Sequence, residues 1–153
     1  MNKIIALDMA TQTGFAINTF PWKSGSVCFP VKRGESPGMR FIRFRAWLNE
    51  TYDVLLCDLD IICYETPHHR GGAATAVCVG MVAILQTFAA EHNIDLMTIH
   101  TATLKKYATG NGRAGKEDMI QAARERFDRE IIDDNEADAL FILAWAISQV
   151  GDK

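Results

Sequence analysis

The chain has 153 residues, of which 48% are apolar and 23% charged, and its net charge at pH 7 is −3. A single domain over residues 1–153 fits this length, because domains commonly contain ~100–200 residues, and a large multi-domain assembly is excluded. The mild acidity argues against a uniformly basic nucleic-acid-binding surface, but net charge does not report the charge of any one face.

Five apolar segments bounded by turn residues predict β-strands at residues 3–8, 14–19, 26–31, 60–65 and 94–99. The first three follow one another at hairpin spacing, across turn signals such as Ser24-Gly25, and predict an antiparallel meander.

Five helices are predicted by amphipathic or apolar patterns at residues 36–57, 72–90, 101–107, 116–127 and 135–150. Ser36 and Thr101 are expected to cap the first and third of these helices. The later strands alternate with helices, which calls for right-handed crossovers and parallel pairing. We therefore expect an α/β fold with a five-stranded mixed sheet in the order 3-2-1-4-5, flanked by helices on both faces.

Residues 71–90 contain no charged side chain, and their length is near that of a bilayer-spanning helix. Their many small and polar residues favour a buried helix that packs on its own sheet, and no membrane association is expected. Pairing of this helix across a dimer interface is a second possibility.

Four cysteines, Cys28, Cys57, Cys63 and Cys78, lie in apolar surroundings and form no C-x-x-C pair. They are interpreted as buried thiols, and their spacing from the histidines does not suit structural zinc. The apolar segment at the N-terminus is too short for a secretory signal, so we expect a reducing cytoplasm.

Acidic residues end two of the predicted parallel strands, Asp8 the first and Glu65 the fourth. Because neighbouring parallel strands end at the same edge of a sheet, their carboxylates should emerge side by side. Such carboxylates repel each other unless a cation bridges them, which predicts a Mg²⁺ or Mn²⁺ site. For either residue alone, a solvent-facing strand end is the simpler interpretation.

A third group of acids lies at the start of the last predicted helix. Asp133, Asp134 and Glu136 suit ordinary helix-start chemistry. Asp138 lies deeper, on a face expected to be buried, and Asp134 and Asn135 share that face. Carboxylates from two strands and a helix predict two-metal phosphodiester hydrolysis, with Asn135 or Asp134 as an additional ligand.

Four segments resemble the RuvC-type Holliday junction resolvases of the RNase H-like superfamily, particularly the compact phage-encoded members. They are Ile5-Ala6-Leu7-Asp8 with Thr13-Gly14, Cys63-Tyr64-Glu65, Asn135-Glu136-Ala137-Asp138-Ala139-Leu140, and Gly110-Asn111-Gly112-Arg113-Ala114-Gly115-Lys116. The last segment is similar to the family's Gly-x-Gly-x-Ala-x-Lys element. The chain departs from the family pattern at Met9-Ala10, where Pro-Gly is usual, and at Asn135, where Asp or His is common.

The resemblance implies an RNase H-like nuclease domain with Asp8, Glu65 and Asp138 as catalytic ligands and Lys116 near the scissile phosphate. It also implies a homodimer that pairs through residues 72–90 and acts on branched DNA in a bacterial or phage-infected cell.

Basic residues are concentrated between residues 66 and 116, next to the expected metal site. Lysine, arginine and glycine-rich turns suit phosphate contacts. The DNA-binding candidates are His68, His69, Arg70, Lys105, Lys106, Asn111, Arg113 and Lys116.

The leading hypothesis is a metal-dependent endonuclease that resolves four-way junctions. A related flap, fork or RNA–DNA hybrid nuclease is one alternative, and a catalytically silent protein that binds branched DNA is another.

Overall fold

Two apolar strands form the centre of the sheet, as their almost continuous burial requires. The computed structural model describes residues 1–55, 57–68 and 71–151. The strands are β1 (Ile4–Asp8), β2 (Gln12–Ile17), β3 (Lys23–Cys28), β4 (Ile61–Glu65) and β5 (Asp95–Ile99). The helices are α1 (Met39–Leu55), α2 (Ala73–His92), α3 (Thr101–Thr109), α4 (Lys116–Phe127) and α5 (Asp134–Val150).

The sheet has the order β3-β2-β1-β4-β5, which confirms the predicted topology. β1, β2 and β3 pair antiparallel, whereas β4 is parallel to both β1 and β5. The carboxyl ends of β1, β4 and β5 therefore meet at one edge of the sheet.

Alternate residues of the central strands enter two separate hydrophobic cores. Ile5 and Leu7 pack with α1 and α2 on one face, whereas Ile4 and Ala6 pack with α3, α4 and α5 on the other. This period-two alternation follows from the strand geometry and confirms that helices cover both faces.

The structure corrects the predicted starts of two helices. Residues 36–39 form a turn in which the Met39 N–H donates to the Ser36 carbonyl at 3.0 Å, and α1 begins only at Met39. His100, not Thr101, is the residue that precedes α3 in extended conformation, and Thr101 is its first helical residue.

The α2 helix is only partly buried, contrary to the prediction of a buried helix. Met81, Leu85, Phe88 and Ala89 are its buried residues, and only 22% of its most apolar window is covered. The length and composition of α2 alone would allow it to cross a membrane, but core helices of soluble proteins also meet these two criteria. One side of α2 packs on the sheet, and the other presents small apolar residues to solvent.

The prediction of four buried thiols is wrong for three of the cysteines. Cys63 is buried in β4, but Cys28 and Cys57 are exposed and Cys78 is half-buried. Cys28 ends β3 and Cys57 follows α1, so both lie at the surface although their sequence neighbours are apolar.

Candidate active site

Asp8 and Glu65 lie at the carboxyl ends of adjacent parallel strands. β1 and β4 are in register with Leu7 opposite Tyr64, so Asp8 and Glu65 are the next pair along the same edge. The buried residues on both strands hold this register, because a one-residue shift would move every side chain of one strand into the opposite hydrophobic core.

The first turns of α5 approach this edge because β2 carries a glycine at the crossing point. A Cβ atom on Gly14 would lie 1.9 Å from the carbonyl oxygen of Asn135. Gly14 is itself opposite Asp8 in the β1–β2 ladder. Only a residue without a side chain lets α5 lie this close, and the contact brings Asp138 to the edge that carries Asp8.

Hydrogen bonds to two other strands hold the start of α5 in place. The carboxylate of Asp133, the N-cap, accepts from the Glu136 N–H at 2.9 Å and from Gln12 and Ser26, each at 2.7 Å. The Ser24 hydroxyl donates to the Glu136 carboxylate at 2.7 Å. The predicted helix-start role is therefore seen for Asp133, and Glu136, which faces β3, also accepts from the Ile132 N–H at 3.1 Å.

A cleft of about 250 Å³ brings the remaining acids together with basic side chains. Its lining includes four carboxylates, a histidine and two lysines: Asp8, Glu65, Asp134, Asp138, His68, Lys105 and Lys116. The Lys116 ammonium lies 3.0 Å from the Asp134 carboxylate, although the Lys116 side chain is 80% exposed. The ion pair partly offsets the negative charge of the cleft.

Two carboxylates of the cleft, Asp8 and Asp138, bind protons unusually well. The pKa of Asp8 lies well above its usual range, first because the group is buried and then because Asp138 and Glu65 repel its negative charge. Burial, followed by the charges of Glu65 and Asp134, raises the pKa of Asp138 to about 7. Lys105 and Lys116 oppose that shift. The folded chain thus concentrates negative charge that it does not fully neutralise itself.

Asp138 also has an unsatisfied acceptor. Its Oδ1 atom is buried and has no hydrogen-bond partner among the described residues. A buried carboxylate oxygen without a partner is costly, and a divalent cation would satisfy it. Within residues 1–55, 57–68 and 71–151, no three His, Cys, Asp or Glu side chains already form a closed metal cage. The carboxylate oxygens of the cleft and their negative charge fit a hard cation, and the carboxylates would move closer together around it.

Asn135 faces a neighbouring cleft. It lines a space of about 200 Å³ with Ala10, Thr11 and Cys78, whereas Asp134 lines the carboxylate cleft. Helical spacing places Asp134 and Asn135 on the face of Asp138, but it does not show that the two residues line different clefts.

Other predicted DNA-binding residues lie outside the carboxylate cleft. Asn111 lines a separate groove between α3 and α4, and its side chain accepts from the Arg113 N–H at 3.0 Å. Lys106 and Arg113 are exposed. His69 and Arg70 lie outside the described residues.

Thr101 belongs to the cleft and was missed as a functional residue. Its hydroxyl contacts the carboxylate of Glu65 and Nε2 of His68. Glu65 is opposite Ile99 in the parallel β4–β5 pair, so the chain leaving β5 emerges beside Glu65. The predicted pairing of β5 with β4 already indicates that Thr101 lies near Glu65, but the local pattern around Thr101 indicates only a helix cap.

Comparison with known proteins gives structural relatives only. No protein-family model matches the chain, and no curated protein matches it by sequence. The structure of Thermus thermophilus RuvC bound to a Holliday junction substrate aligns with a TM-score of 0.74 at 16% identity, covering 93% of this chain and 90% of that one.

Two further solved structures agree with this result. A second Thermus thermophilus RuvC structure gives a TM-score of 0.69 at 17% identity, over 92% of this chain and 90% of the other. The yeast mitochondrial Holliday junction resolvase Ydc2 gives 0.60 at 11% identity, over 92% of this chain and 75% of Ydc2. The chain has a RuvC-type, RNase H-like fold.

Proposed function

We propose that this RuvC-like chain is a metal-dependent endonuclease that resolves Holliday junctions and other branched DNA by phosphodiester hydrolysis. The observation that carries the proposal is the cleft in which Asp8, Glu65, Asp134 and Asp138 meet two lysines at the carboxyl edge of the sheet. Residues 1–153 would act as a single nuclease domain in the cytoplasm of a bacterial or phage-infected cell.

Asp8, Glu65 and Asp138 would hold Mg²⁺ or Mn²⁺, with Asp134 as the fourth carboxylate. The unpartnered Asp138 oxygen and the raised pKa values of Asp8 and Asp138 support this assignment, because carboxylates that repel each other gain most from a shared cation. Bound divalent cations would supply activation of a water molecule and stabilisation of the leaving oxygen. Asn135, on the other side of the α5 start, is the weaker candidate ligand.

Lys105 and Lys116 are the residues best situated to bind the scissile phosphate, because both line the carboxylate cleft. Lys116 would exchange its contact with Asp134 for a phosphate oxygen when DNA and metal bind. Lys106, Asn111 and Arg113, which lie farther along the α3–α4 segment, would contact more distant phosphates. Each contact with phosphate releases counterions, so affinity should fall with added salt.

A homodimer through α2 would supply two cleavage sites for two opposing strands of a junction. The outer side of α2 carries exposed Ala76, Val79 and Ala83, a surface that a second copy of the helix could cover. Small side chains allow two helix backbones to approach closely.

The deciding experiment compares a synthetic four-way junction, a replication fork and a linear duplex in Mg²⁺, in Mn²⁺ and in EDTA. We expect the wild type to cut the junction only with metal, and Asp8→Asn to lose at least ~100-fold in rate while still binding DNA. Asp53→Asn, which removes an exposed carboxylate of α1, is the matched control and should cut normally. Junction cleavage that persists in Asp8→Asn would refute the mechanism.

The same substrates separate the alternatives. Preferential cutting of forks, flaps or an added RNA–DNA hybrid would identify a related nuclease with another substrate. Junction binding without cleavage in Mn²⁺ would identify a catalytically silent binding protein.

A further inference from the structure

The Thr101 hydroxyl bridges two side chains that do not reach each other directly. Nε2 of His68 lies 3.8 Å from the Glu65 carboxylate, beyond hydrogen-bond distance. Thr101 contacts both, from its place at the first position of α3. The segments that leave β4 and β5 are thus joined by a single hydroxyl group.

The chemistry of a hydroxyl determines the direction of both hydrogen bonds. A threonine hydroxyl has one proton to donate, and an ionised carboxylate only accepts. When Thr101 donates to Glu65, it must accept from His68, which therefore carries its proton on Nε2. The sequence His68 N–H to Thr101 O–H to Glu65 carboxylate is the arrangement that satisfies all three groups.

The backbone around this chain of hydrogen bonds is also held. The Thr66 N–H donates to the Ile99 carbonyl at 2.9 Å, which ties the segment after β4 to the end of β5. The Thr75 hydroxyl lies 3.2 Å from the His68 carbonyl oxygen. The Glu65 side chain is only 15% exposed, so its orientation depends on protein contacts, whereas His68 is 56% exposed.

We propose that Thr101 is a positioning residue that holds Glu65 by one carboxylate oxygen and leaves the other oxygen free for a divalent cation. The proposal rests on the proposed function, since Glu65 is taken as a metal ligand. Hydrogen bonds from outer groups orient metal ligands and commonly change metal affinity or activity by about 10–100-fold when removed. His68, held by Thr101 through Nε2, lines the same cleft.

The test compares Thr101→Val, which removes the hydroxyl at nearly constant shape, with Thr101→Ser, which keeps it. Mn²⁺ affinity is measured on the protein without DNA by electron paramagnetic resonance of the free ion. We expect Thr101→Val to weaken Mn²⁺ binding by about 10-fold or more, and Thr101→Ser to stay within about threefold of wild type. Thr103→Val, an exposed threonine of α3, is the control and should bind as wild type does.

A second measurement reports the hydrogen-bond direction without activity. In ¹⁵N-labelled protein, long-range ¹H–¹⁵N spectra should show His68 as the Nε2-protonated tautomer in wild type and Thr101→Ser, and as a mixture in Thr101→Val. Thermal unfolding in EDTA identifies any variant that fails to fold. If Thr101→Val does not fold, the Mn²⁺ affinity of Thr101→Ser and the His68 tautomer spectrum test the proposal.

Equal Mn²⁺ affinity in wild type and Thr101→Val would overturn the inference. Equal losses in Thr101→Val and Thr101→Ser would also overturn it, because methyl packing and not the hydroxyl would then matter. A wild type that binds Mn²⁺ but leaves junctions intact refutes the proposed function alone, since the metal titrations still test Thr101. A wild type that binds no Mn²⁺ refutes both.

Discussion

The charge on Asp138 opposes folding when no divalent cation is present. Its folded pKa of about 7 exceeds its ordinary value of 3.8, so the folded state binds this proton more tightly than the unfolded state does. The contribution of Asp138 to folding stability therefore falls as pH rises from about 4 to 7, and Asp138→Asn removes that loss. In EDTA we expect the variant to melt a few °C above wild type at pH 8 and close to it at pH 4.

Thermal melts at the two pH values check this expectation, with the exposed Asp53→Asn of α1 as the control. An Asp138→Asn variant that changes the melting temperature equally at pH 4 and pH 8 would contradict it. Addition of Mn²⁺ should stabilise the wild type more than the variant.

Thiol reactivity should separate the cysteines by burial. Burial raises the pKa of the Cys63 thiol to about 12, whereas Cys28 and Cys57 are exposed. Because the thiolate is the reactive form, we expect iodoacetamide to modify Cys28 and Cys57 in the native protein while Cys63 reacts only after unfolding. Mass spectrometry of digested samples measures this order, and rapid native labelling of Cys63 would contradict the described packing of β4.

Gly14 determines where α5 can lie on the sheet. In Gly14→Ala the new Cβ would meet the Asn135 carbonyl, so α5 must move away from β2. Overpacking of this kind costs about 1–3 kcal/mol and here also displaces Asp138. We expect a lower melting temperature together with weaker Mn²⁺ binding.

Gly38→Ala is the matched control for this change. A Cβ at Gly38 would meet only the Ser36 hydroxyl oxygen, at 3.6 Å, which is ordinary contact. Gly14→Ala that binds Mn²⁺ like wild type would show that α5 tolerates the shift.

The element pattern was largely predictable from the sequence, and the exceptions have physical causes. The strand order and the α4 boundaries follow from local periodicity. β3 is predicted at residues 26–31 but runs from Lys23 to Cys28, because Ser24 and Gly25 are typical turn residues. Ser24 and Ser26 bond to acids of α5, and Gly25 leaves room for the Phe15 ring. The two serine contacts span 112 and 107 residues, beyond what a local pattern can report.

The candidate site shows the same division between local and distant information. Asp8 and Glu65 could be selected because each ends a strand whose apolar pattern is visible, and Asp138 because it lies on the expected buried face of the last helix. Thr101 was not selected, although the predicted pairing of β4 with β5 places the segment after β5 beside Glu65, because a threonine at a helix start ordinarily serves as a cap. The choice between Asp134 and Asn135 depends on which side of the Gly14 contact each one faces.

The exposed side of α2 should control assembly. Charge placed on it would be buried without a partner in a dimer, so we expect Ala76→Glu and Ala83→Glu to give monomers where wild type gives a dimer. Sedimentation velocity with and without junction DNA measures the state. Val54→Glu, on the exposed side of α1, is the control and should leave the dimer intact.

A wild-type protein that sediments only as a monomer, with and without junction DNA, would remove the dimer from the proposal. Cleavage would then occur one strand at a time.

The close contact between Gly14 and Asn135 also has a consequence for the order of events during synthesis. Asp8 and Glu65 are synthesised before Asp138, which follows Asp8 by 130 positions. The cleft therefore cannot assemble on a nascent chain until α5 has emerged and docked on β2. A ribosome-bound fragment that ends before residue 138 would lack the carboxylate from α5, so its proposed metal site would be incomplete.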